Sequence, residues 1–70
     1  MIISARNQLK GKVKSVILGK VMAEVVLELN TGEELVSAIT RNSAESLKLE
    51  VGQEVVAIIK STEVIIGINE

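Results

Sequence analysis

Two short polar clusters stand near opposite ends of an otherwise apolar chain. The first is Ser4-Ala5-Arg6-Asn7 and the second is Lys60-Ser61-Thr62. Each supplies a cation and hydroxyl donors, and the first adds the Asn7 amide. Arg and Lys carry charge, while hydroxyls and loop backbone N–H groups aim hydrogen bonds. Together they form the donor chemistry that holds an oxyanion. The same residues have a plainer use, with Ser4 and Asn7 closing turns and Arg6 and Lys60 ending strands in solvent. Residue types alone leave both readings open.

Other chemistries are poorly supplied. The 70 residues include no His, no Cys and no Asp, and the nine carboxylates are scattered Glu. Soft-metal sites and disulfides are therefore excluded, and a hard-cation cage is disfavoured. A Lys60–Ser61 dyad is the one conceivable base and nucleophile pair. Neighbours in a strand point to opposite faces, so that dyad would need a turn. No phosphate-binding loop or dinucleotide fingerprint is present. The expectation is a protein that is not an enzyme and carries no cofactor.

Nucleic acid is also a poor partner. Net charge is −1 and aromatic residues number zero, so neither a positive surface nor a stacking platform is available. The Lys10, Lys12, Lys14 stripe could be a nucleic-acid face, or a solvated strand face whose charge discourages edge-to-edge pairing. Glu24 and Glu28 suit cross-strand pairing, and Met22 suits packing. The start, MIISARNQLK, lacks a basic segment followed by an apolar one, and no run reaches the ~20 apolar residues of a membrane span. A soluble cytoplasmic protein with no membrane partner is expected.

These residues need strands to place them. Val and Ile make up 19 of 70 residues, and β-branched side chains favour strands. Alternation predicts strands over roughly Asn7 to Leu18, Val21 to Leu29, Glu34 to Thr40, Glu54 to Lys60 and Glu63 to Ile68. In the first, Leu9, Gly11, Val13, Ser15 and Ile17 share one face and the three lysines the other. Gly19 separates the first two strands, and Asn30-Thr31-Gly32 reads as a hairpin turn. Gly67 falls within the last. Asn42, with Glu45 three residues on, predicts a capped helix over Ser43 to Leu47. The order β-β-β-α-β-β is that of a single all-β domain over residues 1–70, a five-stranded Greek-key barrel of the oligonucleotide/oligosaccharide-binding (OB) type with one short helix between strands three and four. An open five-stranded sheet is the alternative.

A chain this small buries only about 60% of its extended surface, and such chains generally need a staple. The fourth and fifth strands are apolar on both faces, as in Val55, Val56, Ala57, Ile58 and Ile59, and Ile2 and Ile3 form an apolar arm. A small barrel covers one face only. A symmetric homo-oligomer is the expected resolution.

At the two polar clusters the sequence resembles the small molybdate-binding Mop proteins, or molbindins. Residues 4–11, SARNQLKG, resemble the family's opening motif. Residues 56–64, with Lys60-Ser61-Thr62 at their centre, resemble its closing signature. Ala23-Glu24-Val25-Val26-Leu27 and Ser43-Ala44-Glu45-Ser46-Leu47 resemble its middle. The resemblance implies an OB-like barrel assembled as a hexamer, a trimer of dimers, holding molybdate or tungstate between subunits. It implies oxyanion contacts from Ser4 and Arg6 of one subunit and from Lys60 and Ser61 of a neighbour, with Thr40 and Ser43 as further contacts. Ser43 would sit in the helix's first turn, where free N–H groups favour anions. Ala5, Asn7 and Thr62 would support these loops, and Gly19, Lys20 and Ser37 are weaker second-site candidates. A stand-alone domain of this kind suggests an oxyanion store. The competing expectation is a structural or interaction module whose anion pocket is vestigial.

Overall fold

The computed structural model describes residues 1–70. Strands β1 (Asn7–Leu18), β2 (Met22–Leu29) and β3 (Glu34–Thr40) are followed by helix α1 (Arg41–Ser46) and strand β4 (Glu54–Ile59). The strands form one sheet in the order β3-β2-β1-β4, with every pairing antiparallel. The result is an all-β, OB-like half-barrel with one short helix.

Period-two patterning explains the core. In β2, Ala23, Val25 and Leu27 are buried while Glu24 and Glu28 face solvent. Val13, Val25 and Leu27 form the centre, packed by Val16, Leu35, Ile39, Leu49, Val55 and Ala57. Ala44 is the buried residue of α1. Gly11 permits the close approach of β1 to β2, because a Cβ there would lie 2.5 Å from the Glu28 carbonyl oxygen. The β2–β3 turn forms where Asn30-Thr31-Gly32 predicts it. Gly32 adopts φ 93° and donates its N–H to Leu29 at 2.8 Å.

Three expectations need correction. The alternation in β1 changes phase at a bulge between Val13 and Ser15, where Lys14 has no partner across β2. One inserted residue flips every later side chain, so Val16 packs on the core and Ile17 is 60% exposed. The helix begins two residues earlier than predicted, and its cap is Thr40 rather than Asn42. Thr40 ends β3 in extended geometry and accepts the Ser43 N–H at 3.1 Å. Glu45 pairs with Arg41 one turn back instead of closing a capping box.

The fifth strand is absent, so the sheet has four strands and not five. A 3-10 turn at Ser61–Glu63, closed by the Glu63 N–H on the Lys60 carbonyl at 2.9 Å, redirects the chain. Residues 64–70 then run exposed, outside the sheet, Gly67 among them. Ile65, Ile66 and Ile68 are 92%, 82% and 86% exposed. The chain exposes 5873 Å², against about 4,250 Å² for a compact monomer of its mass. Apolar residues of the two terminal arms and of the sheet contribute to this exposure, a surface that water alone covers poorly. No helix is long and apolar enough to cross a membrane.

Candidate functional site

The two polar clusters meet at one end of the sheet. Asn7, the first residue of β1, pairs with Ile59, the last of β4. Arg6 and Lys60 therefore flank the same rung of the ladder. Both clusters come to this end within one chain, whereas the resemblance implied a neighbour for the second. Ala5 accepts a hydrogen bond from the Gln8 side chain at 2.9 Å, which fixes the turn entering β1. Ser61 and Thr62 lie in the 3-10 turn that leaves β4. Ser4, Arg6, Lys60 and Ser61 are exposed and their side chains make no hydrogen bond or ion pair within the chain. Two free cations and two free hydroxyls thus stand at this first pole, enough to balance a dianion and bind its oxygens.

Thr40 and Ser43 lie at the opposite end. Thr40 pairs with Met22 at the start of β2, beside the β1–β2 turn that holds Gly19 and Lys20. The 12 residues of β1, roughly 36 Å of strand from first to last, separate this second pole from the first. Its donors are already wired. The Thr40 hydroxyl donates to Ser43 Oγ at 2.7 Å while accepting the Ser43 N–H. Of the backbone N–H groups expected to be free for an anion, that of Ser43 is therefore taken by the cap, while the Ser43 O–H donates to no group in the chain.

Arg41 also belongs to this pole, and sequence reasoning passed over it. Its Nη1 donates to the Gly19 carbonyl at 3.2 Å, its Nε lies 3.6 Å from Glu45 Oε1, and its backbone N–H donates to Val21 at 2.7 Å. Adjacency to Thr40 was the only available signal. Lys20 is exposed and makes no ion pair. Ser37 sits mid-strand on the half-buried face shared with Leu35 and Ile39, away from both poles.

The lysine stripe borders two shallow hollows, of about 380 and 420 Å³, lined by Lys10 and Lys12 and by Lys12 and Lys14. Glu54 and Glu28 share those walls, so the charge is mixed. Lys12 faces Glu28 across the ladder, and Lys14 pairs with Glu34. The hydrogen bond to Glu34, then that carboxylate's charge, raises the Lys14 pKa above its ordinary value of 10.5. The bulge that frees Lys14 from the ladder is what lets it reach β3. Glu24 faces Ile17 and pairs with no cation.

The half-barrel thus presents hydrogen-bond donors at both poles. Residues 3–66 match the TOBE domain model. Molybdenum-pterin-binding protein 3 of Clostridium pasteurianum is 54% identical over 66 residues, 94% of this chain and 97% of that one. The structure of MopII from the same organism superposes with a TM-score of 0.91 at 49% identity, covering 96% of this chain and all of that one. The cytoplasmic molybdate-binding protein ModG, in a form with molybdate bound, matches with a TM-score of 0.84 at 48% identity. That match covers 87% of this chain and 43% of ModG. The chain belongs to the molybdenum-pterin-binding (Mop) proteins of the TOBE-domain family.

Proposed function

We propose that this chain binds molybdate, or the similarly sized tungstate, between subunits of a homo-oligomer and serves as a cytoplasmic molybdenum buffer. One observation carries the interfacial part: the donors are split between two ends of the sheet, on a chain that leaves its apolar arms uncovered. A small anion cannot touch both poles of one chain. It can touch the first pole of one copy and the second pole of another when apolar surfaces bring the copies together. A hexamer, the assembly of the family this chain resembles, closes such contacts symmetrically. ModG, a cytoplasmic relative with molybdate bound, supports the ligand and the compartment.

The chemistry follows from the donors. The molybdenum stays within its tetrahedral dianion and changes no oxidation state. Arg6 and Lys60 balance the two negative charges, and Ser4, Ser61 and Ser43 orient oxygens, with Thr40 holding Ser43 in place. An interface that excludes water strengthens each charge-assisted bond. Pocket size would separate molybdate from the smaller sulfate. A pterin would find no aromatic ring to stack on, so the inorganic dianion suits this chain better. Equilibrium dialysis against sodium molybdate and sodium sulfate tests the proposal. Molybdate should be retained in preference to sulfate. Equal and weak uptake of both would favour a structural module that assembles through its apolar surface alone.

A further inference from the structure

The second pole has one free cation, Lys20, where the first has two, and its other cation, Arg41, is occupied. Thr40 takes the Ser43 N–H and the Val21 carbonyl takes that of Arg41, so two backbone donors of the helix's first turn are already spent. The charge that balances an anion must come from side chains. Arg41 is anchored through Nη1 to the Gly19 carbonyl, which stands next to Lys20 in the chain, while Nε faces the Glu45 carboxylate at 3.6 Å. A guanidinium has five N–H donors, so these two contacts leave others for an oxyanion. The Gly19 tether is to a neutral carbonyl and costs no charge. The Glu45 contact cancels charge where an anion would need it.

We propose that Arg41 is a further oxyanion-contacting residue of the second pole, and that Glu45 is its resting counter-ion, which an incoming dianion must displace. This inference rests on the oxyanion reading above and adds to it a device that sets affinity. The Gly19 tether keeps the guanidinium beside the Lys20 turn while Nε changes partner. A dianion offers Arg41 twice the charge of Glu45 and can bridge to Lys20 and Ser43 as well. A monoanion gains less from the exchange. Glu45 thus lowers affinity for every anion by the same displacement cost, which the stronger attraction of a dianion offsets more readily.

Molybdate titration of the full chain by calorimetry, with E45Q, R41Q, R41K and R41Q/E45Q, tests this. E45Q removes an exposed ion pair and should tighten binding about two- to fivefold. R41Q should weaken it about tenfold or more, R41K should recover part of the loss, and E45Q should have no effect once Arg41 is gone. Lost stability alone cannot produce a variant that binds more tightly. Unchanged or weaker binding by E45Q, in a protein whose molybdate uptake still depends on Arg6 and Lys60, overturns the counter-ion role and leaves the oxyanion reading standing. Absence of molybdate binding in the unaltered chain overturns both.

Discussion

The two poles of the sheet carry the same residue types but hold them differently. At the first, Arg6, Lys60, Ser4 and Ser61 are free of any partner in the chain. At the second, Thr40 is tied to Ser43, and Arg41 to Gly19 and Glu45, while Lys20 is free. Free donors keep their full charge for a ligand but must be ordered when it arrives, at a cost in side-chain entropy. Tied donors are ordered in advance but have part of their capacity spent. A site made from one pole of each kind joins unspent charge to a rigid frame.

Variants at each pole should separate these contributions. The largest effect is expected from R6A/K60A, which strips both free cations from the first pole. Charge-assisted bonds are worth about 1.5–3 kcal/mol each, so molybdate affinity in dialysis should fall at least about a hundredfold, with little change in the thermal midpoint. T40V should act the other way round. Losing the helix cap costs about 1 kcal/mol, or about 4–8 °C in thermal unfolding at fixed protein concentration, and affinity should fall only a fewfold as Ser43 loses its orientation. An R6A/K60A variant that melts early but binds normally would reverse the roles assigned to the poles.

The smallest effect lies between the poles, at the bulge. Because Glu34 raises the Lys14 pKa in the folded chain, the stabilisation from their pairing is fully present below the ordinary lysine value of 10.5. It is lost as pH rises through the elevated folded value. The thermal midpoint of the unaltered chain relative to K14M should be constant from about pH 8 to about pH 10 and converge above that. A gap that opens on acidification instead would contradict the assignment.

Much of this was legible in the sequence, for reasons that also mark where reading stops. The bounds of β1 and β3 follow from alternation broken at Gly19 and at Asn30-Thr31-Gly32. The two clusters of the first pole are legible because each is contiguous in the chain, but their meeting within one chain is not, since it depends on the pairing of Asn7 with Ile59. The bulge at Lys14 is not, since nothing local distinguishes an inserted residue from a continuing strand. Thr40 and Asn42 are both good caps, and the choice depends on where β3 stops pairing with β2. The apolar alternation of residues 63–68 signals a face that must be covered, but not that the chain's own sheet would leave it uncovered. Arg41 is the clearest case, because its role depends on Gly19, 22 residues earlier. That contact exists only once β1, β2 and β3 have folded together.

The interfacial site is tested most directly by native mass spectrometry of the full chain during titration with molybdate. A homo-oligomer should appear that takes up molybdate in fixed proportion to its subunits and resists dissociation better when loaded, because a ligand held between subunits stabilises their assembly. A monomer that binds molybdate as tightly as the oligomer would contradict it.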